Sequence, residues 1–331
     1  MKKPAAQAPK TSRASSVLVT GGAGFIGSHL VERLLADGHS VTVIDDLSTG
    51  SLANLHSVRR HPALRVIVSK VSNCAQLKRV VSSADAVYHL AAAVGVEWVL
   101  QNPIRTLETN LHETEVLLKA AAARRTPVLL TSSSEVYGKS SRPVLRETQD
   151  LLIGPPDHRR WGYACSKLVD EFLGLAYHQE RNVPVVVARL FNTVGPRQTG
   201  RFGMVLPRFV ADARAGRPLK VFGNGSQTRC FCYVADTIES LVRLQNHPGA
   251  AGQVFNVGTT EQISILQLAR TVIDVLQSRS RIQLVPYDRA YRTGFEDMRQ
   301  RKPSVAKLAA LTGFRPQTRL REIIRLTATQ Q

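Results

Sequence analysis

The sequence predicts an α/β fold, a doubly wound parallel sheet that carries a smaller mixed α/β lobe towards its C-terminal end. Three observations predict it. Through the first 190 residues of the 331, short β-rich runs alternate with longer segments of helical periodicity. Those runs are nearly continuously apolar rather than alternating, as in strands covered on both faces. A glycine-rich turn, TGGAGFIGSHL at 20–30, follows the first of them and opens the first helix. Parallel strands joined by right-handed helical crossovers satisfy all three.

Ser16 to Thr20 is the first strand, and Phe25 to Asp37 is a helix with Ile26, Leu30, Val31, Leu34 and Leu35 on one face. Val41 to Ile44, Val66 to Val68, Ala86 to Leu90 and Val128 to Thr131 follow as further buried strands. Long helical patterns occupy Ile104 to Arg124 and Tyr163 to Arg181, and Val183 to Leu190 is one more β run. From Gly203 onward the strands shorten and glycine turns such as Gly223-Asn224-Gly225 separate them. Helices are expected there near Thr237 to Gln245, Ile265 to Gln277 and Val305 to Leu311.

Composition narrows the function classes. With 43% hydrophobic and 21% charged residues the chain is neither disordered nor a coiled coil. Its most apolar window, Ala86 to Leu100, contains His89 and Glu97, so no membrane span is expected. The opening MKKPAAQAPK places prolines and polar residues where a signal peptide carries an apolar run, which predicts a cytoplasmic protein. Cys74, Cys165, Cys230 and Cys232 form none of the two-residue-spaced pairs of a zinc site and read as reduced and structural. The nine histidines lack metal-ligand spacing, so no metal is expected, and His89 reads as a hydrogen-bonded core residue.

The formal net charge is +19, from 44 Lys+Arg against 25 Asp+Glu. Because the basic residues are spread along the chain and never interleaved with aromatics, they do not predict nucleic-acid binding. Clusters such as Arg124-Arg125, Arg159-Arg160 and Arg299 to Lys302 would equally attract an anionic small molecule.

Two motifs carry chemistry. Gly22, Gly24 and Gly27 have G-x-G-x-x-G spacing between a strand and a helix, where backbone can approach a pyrophosphate at the helix N-terminus. Asp45, 18 positions after Gly27, ends the next strand, where a carboxylate bonds ribose hydroxyls and repels a ribose phosphate. This argues for NAD. In Tyr163-Ala164-Cys165-Ser166-Lys167 the tyrosine and lysine lie four apart on one helix face, so the ammonium is expected to stabilise a phenolate and create a base for a sugar hydroxyl.

With the strand-end serines Thr131 to Ser134 between these motifs, the chain resembles the extended short-chain dehydrogenase/reductases that act on nucleotide sugars. The resemblance runs from Val17 to Leu326 through TGGAGFIGSHL, DDLSTG at 45–50, YHLAA at 88–92, SSSEVYG at 132–138, YACSK at 163–167, RLFNTVGPR at 189–197 and RKPS at 301–304. It implies a Rossmann-type fold and a catalytic triad of Ser133, Tyr163 and Lys167. NAD would be held by Gly21, Gly24, Phe25, Ile26, Gly27, Asp45, Asp46, Leu90, Ala91 and Ala92, with Tyr163 and Lys167.

A nucleoside diphosphate sugar would meet Asn192 at its diphosphate, with Val205 and Pro207 in the segment that closes over the nucleotide. Val221 and Phe222 would lie near the base, and Arg229 and Arg301 would face the diphosphate or sugar. The resemblance also implies a homodimer built from the helices at 104–124 and 163–181. The expected domains are a disordered basic tail at 1–15, read from its composition, and, with the functions that the resemblance implies, an NAD-binding domain at 16–190 and mainly a nucleotide-sugar-binding lobe at 191–331. One departure is Ser69-Lys70, where the family usually has Gly-Asp beside the adenine.

Ser134-Glu135 after the catalytic serine, with Arg301 to Pro303, most resembles the UDP-glucuronate decarboxylases. Oxidation at the 4-position of a uronate gives a β-keto acid that loses carbon dioxide readily. Glu135 would then handle the proton at carbon 5 and Arg301 would place the carboxylate. A UDP-sugar 4-epimerase or a 4,6-dehydratase is the alternative reading, and a non-catalytic nucleotide-sugar sensor or a nucleic-acid-binding protein the remote one.

Overall fold

The computed structural model describes residues 15–93, 95, 99, 101–200, 204–286, 298 and 300–329. The expected basic tail, Ser15 apart, lies outside these residues, as do Glu97 and Arg299. The strands are β1 (Ser16–Thr20), β2 (Ser40–Asp45), β3 (Leu64–Val68), β4 (Ala86–His89), β5 (Val128–Ser133), β6 (Val185–Leu190), β7 (Thr193–Val194), β8 (Leu219–Phe222), β9 (Thr228–Cys230), β10 (Cys232–Tyr233), β11 (Gln253–Val257), β12 (Gln262–Ser264) and β13 (Ile282–Val285). The helices are α1 (Phe25–Ala36), α2 (Leu77–Ser83), α3 (Pro103–Ala122), α4 (Arg160–Arg181), α5 (Val205–Arg214), α6 (Val234–Asn246), α7 (Ile265–Val275), α8 (Ala306–Thr312) and α9 (Leu320–Ala328).

A seven-stranded sheet in the order β11-β6-β5-β4-β1-β2-β3 forms the centre, and all of its pairings are parallel. The apolar runs cause this. Each inner strand buries both faces, so Leu18, Val43, Val87, Leu129 and Val187 are all inaccessible. Leu30 and Leu34 of α1, with Ile238 and Leu241 of α6, cover one face. Val81 of α2 and Leu117, Leu118 and Ala121 of α3 cover the other. Burying each such side chain contributes about 1.5–3 kcal/mol. Proline at the start of α3 and a left-handed Asn182 (φ 55°) after α4 set the limits of the two longest helices.

Two expectations change. The run Val66 to Val68 is no buried strand, because β3 has a neighbour on one side only and leaves Val66 36% and Val68 58% exposed. In addition, β11 returns from beyond residue 250 to pair with β6, and α6 packs over that end of the sheet. Around a separate apolar cluster, α5, α7 and α9 pack with Leu219 and Val221 of β8 and form the lobe. The lobe faces the C-terminal ends of the central strands, where an open α/β sheet binds its ligands.

Candidate active site

At those strand ends lies a cavity of about 550 Å³. Its floor is the glycine turn. Gly21 has φ +71°, and a Cβ there would stand 2.8 Å from the Ala91 nitrogen; a Cβ on Gly27 would stand 2.1 Å from the Gly21 carbonyl oxygen. Only glycine allows α1 to start this close to β1 and β4. No side chain caps α1, and Gly24, Phe25, Ile26 and Gly27 line the cavity, so the first turn of the helix presents its N–H groups and dipole to an anion.

Asp45 does more than the sequence suggested. One carboxylate oxygen accepts the Ala23 N–H at 2.9 Å and the other the Leu47 N–H at 2.8 Å, so the side chain also pins the glycine turn. Burial raises its pKa, and these two N–H groups oppose the rise. Asp46 accepts from the Ser48 N–H at 2.9 Å. Leu90, Ala91 and Ala92 line the same wall, with Ser69 and Lys70 also on the cavity. The loop after Lys70 is held by Glu113 of α3, which accepts from the Ser72 N–H (2.9 Å) and hydroxyl (2.6 Å). A glycine cradle that a Cβ would fill, above an acidic strand end, fits a dinucleotide without a ribose phosphate.

Strand β5 delivers Ser133, Ser134 and Glu135. Ser133 opens a tight turn over Ser134–Tyr137, its hydroxyl accepting the Glu135 N–H at 3.2 Å. Helix α4 delivers Tyr163, hydrogen-bonded to Ser133, and Lys167, whose ammonium donates to Asp170 at 2.8 Å. The phenol is not lowered as the Tyr–Lys spacing predicts. Burial pushes Tyr163 above its usual value more strongly than Lys167 pulls it down, and the charges of Glu135 and Asp170 add to the rise. Behind the triad His89 is a core residue, its ring nitrogens 2.7 Å from the Thr20 hydroxyl and 3.2 Å from that of Thr114.

Arginines gather at Glu135. Arg301 lies 2.6 Å from one of its oxygens and Arg160 3.2 Å from the other, with Arg229 adding its charge from the lobe. Although burial alone would raise it, these cations lower the Glu135 pKa to about 2. Arg301 is placed by backbone pairing of its segment with Leu145, through Leu145 N–H to Lys302 (2.8 Å) and Ser304 N–H to Leu145 (2.8 Å). Arg229 is fixed by donating to the Thr228 and Met298 carbonyls, each at 2.8 Å.

Most of the residues named from sequence line the cavity, Asn192, Val205 and Phe222 included. Asn192 (φ 34°) donates one amide hydrogen to the Cys230 carbonyl at 2.8 Å. Pro207 and Val221 do not reach the cavity. On α5 the cavity takes Val205 and Arg208, three apart, and turns Pro207 into the lobe core. In β8 successive side chains face opposite ways, so Phe222 reaches the cavity while Val221 is fully buried behind it.

The sequence marks Arg160 only as part of a basic cluster that would attract an anion, and it gives no signal for Arg208. Arg160 precedes Tyr163 by one helical turn, a spacing that would have flagged it. Arg208 stacks its guanidinium 4.6 Å above the Phe222 ring, a contact without a sequence signal.

Acid lability follows from two of these groups. His89 is held neutral by burial, its pKa lowered to about 3 from 6.5, so the unfolded chain takes up a proton first and stability falls as pH drops below about 6.5. Glu135 is stabilising above its ordinary 4.5 and loses that contribution, on the order of 3 kcal/mol, as pH falls towards 2. The urea midpoint is therefore expected to decline in two stages on acidification, and His89→Gln to shrink the first stage. A midpoint unchanged between pH 7 and 5 in the unsubstituted protein would contradict this.

Known proteins share this architecture. The sequence profile of the NAD dependent epimerase/dehydratase family matches residues 17–258. The UDP-N-acetyl-alpha-D-glucosaminuronate decarboxylase of Bacillus cytotoxicus is 37% identical over 90% of this chain and 92% of its own. The UDP-glucuronic acid decarboxylase 6 of Arabidopsis thaliana is 35% identical over 92% of this chain and 85% of its own. The UDP-glucuronic acid 4-epimerase of Bacillus cereus, solved with UDP-glucuronic acid and NAD, superposes with a TM-score of 0.85 at 27% identity, covering 95% of this chain and 98% of its own. The profile covers most of the chain and the relatives nearly all of it: the chain belongs to the NAD dependent epimerase/dehydratase family, and its cofactor is NAD.

Proposed function

We propose that the protein decarboxylates a UDP-uronic acid, UDP-glucuronate in the first instance, through a 4-keto intermediate to UDP-xylose or its 4-keto form. The observation that carries this reading is the convergence of Arg160, Arg229 and Arg301 on Glu135 one helical turn from Tyr163. Guanidinium forks suit carboxylates, and Arg160 and Arg301 set two of them against one wall of the cavity. A sugar carrying its own carboxylate at carbon 6 fits there.

Tyr163 takes the proton of the 4-hydroxyl, Ser133 hydrogen-bonds the same oxygen, and the Lys167 ammonium stabilises the phenolate. NAD supplies the hydride acceptor for carbon 4, and its positive charge adds to that of Lys167 in favouring the phenolate. Once carbon 4 is a ketone, the bond from carbon 5 to the carboxylate breaks and its electron pair enters an enolate. Ser133 and Tyr163 face the oxygen that gains the charge. Carbon dioxide leaves and carbon 5 takes a proton.

Glu135 is better suited to orienting the arginines than to supplying that proton, because a carboxyl with a pKa near 2 carries none at neutral pH. Asn192 and Arg229 are assigned to the diphosphate, and Val205, Phe222 and Arg208 to the nucleoside. On this reading residues 16–190 bind NAD and 191–331 mainly the nucleotide sugar, with β11 and α6 returning to the sheet.

The relative named for an N-acetylglucosaminuronate makes that sugar the second substrate to try. Incubation with UDP-glucuronate, UDP-N-acetylglucosaminuronate and UDP-glucose in separate tubes is expected to show loss of carbon dioxide from at least one uronate. Interconversion of 4-epimers without that loss would replace the assignment with an epimerase.

The assembly we propose is a homodimer. Helices α3 and α4 pack side by side and expose Ile104 (71%), Val169 (47%) and Phe172 (68%), an apolar surface suited to the same helices of a second copy. A monomer by light scattering would contradict it. Among the described residues no helix is long and apolar enough to cross a membrane. We assign the protein to the cytoplasm, where its four cysteines, free in the structure, stay reduced.

A further inference from the structure

The catalytic lysine has a counter-ion of its own. The Lys167 ammonium lies 2.8 Å from an Asp170 oxygen, one turn on along α4, and both side chains are 4% exposed. The neighbouring carboxylate is occupied elsewhere. Glu171 accepts from the Ser132 hydroxyl at 2.5 Å and is bridged by Arg189 of β6 at 2.7 Å. The second Asp170 oxygen is also buried and accepts no hydrogen bond among the described residues. Among the described residues nothing else accounts for an aspartate there, since it caps no helix and its only hydrogen bond is to the lysine.

We propose that Asp170 is a positioning residue that keeps the catalytic Lys167 cationic and aimed at Tyr163, acting on the reaction only through the lysine. This rests on the assignment of Tyr163 and Lys167 as the base pair of the site. A lysine removed from water loses its proton readily unless a negative charge stands beside it. Burial opposes the charged form of Lys167, and Asp170 is the largest influence in the other direction, with Tyr163 and Glu171 behind it.

The other groups around the pair do not replace Asp170. From β4, His89 is neutral, and from α3, Asn110 and Thr114 are uncharged while Glu113 is committed to Ser72. From the turn after β5, Glu135 is held by Arg160 and Arg301. Burial is the main reason that Tyr163 stays above its usual value, and the charge of Asp170 adds a smaller push in the same direction.

The test uses Asp170→Asn, which keeps the shape and removes the charge, and the double variant Lys167→Met/Asp170→Asn. Without NAD, the single variant is expected to be less stable than the unsubstituted protein near pH 7. It should regain part of that deficit as pH rises to about 9.5, because a buried lysine lacking its partner favours the neutral form. With methionine at 167 the deficit should no longer depend on pH.

With NAD and UDP-glucuronate, Asp170→Asn is expected to slow NADH formation at least tenfold and to gain a falling alkaline limb within the assay range. Asp170→Glu should restore part of the rate. Adding Asp170→Asn to Lys167→Met should cost less than twofold further. A pH profile for Asp170→Asn that superposes on that of the unsubstituted protein after scaling, or a stability deficit that does not change with pH, would overturn the proposal. Failure of the unsubstituted protein to form NADH would instead count against the base assignment, and the stability measurement would still judge Asp170.

Discussion

In Tyr163→Phe, addition of UDP-glucuronate to the NAD-loaded protein is expected to give no transient NADH absorbance and a turnover lowered by about 10³-fold or more. The hydroxyl it removes is the group hydrogen-bonded to Ser133 and one turn from Lys167. The fold should survive, because phenylalanine keeps the ring. The hydrogen bond to Ser133 is lost with the hydroxyl, so the variant is expected to fold but to be less stable to urea by about 1 kcal/mol. Absorbance at an undiminished rate in this variant would show that another group takes the 4-hydroxyl proton.

Glu135→Gln is expected to separate the two halves of the reaction. NADH should still form, since Ser133, Tyr163 and Lys167 remain, while release of carbon dioxide should fall about 10²-fold. The reason lies in the shared arginines. On the proposed reading, Glu135, paired with Arg160 and Arg301 in the unsubstituted protein, competes with the substrate carboxylate for them, which would favour movement of negative charge away from carbon 6 towards the enolate oxygen. With glutamine the guanidinium groups would hold the substrate carboxylate as a stable ion pair. Equal loss of both half-reactions would mean that Glu135 serves only to hold the arginines in place.

The parts of this site legible in the sequence are those written by short-range spacing. The glycine turn, its strand and its helix are contiguous between Ser16 and Ala36, and the Tyr163–Lys167 pair lies within about one turn, so helical and strand periods alone place them. Strand β3 is not distinguishable as an edge by pattern, because three apolar residues at a sheet edge have the same composition as three in the middle. Strand β11 has an ordinary pattern, and only its long-range pairing with β6 makes it part of the sheet.

At the substrate end, Pro207 and Val221 were carried over with their neighbours as segments, whereas helix and strand geometry admits one neighbour and turns the other inward. The meeting of Arg160, Arg229 and Arg301 on Glu135 joins α4, β9 and a strand-like segment near the C-terminus, and no local period encodes it. The raised pKa of Tyr163 is hidden from the sequence for a related reason. Spacing shows the lysine but not the depth of burial or the aspartate that shares its charge.

The central claim is that a carboxylate leaves carbon 5 from a 4-keto sugar held by Tyr163 and the arginines, and turnover of UDP-glucuronate in deuterated water tests it directly. The account predicts carbon dioxide from carbon 6 and a UDP-pentose carrying one solvent deuterium at carbon 5. A UDP-hexuronate inverted at carbon 4, with its carboxylate intact and no deuterium at carbon 5, would contradict it.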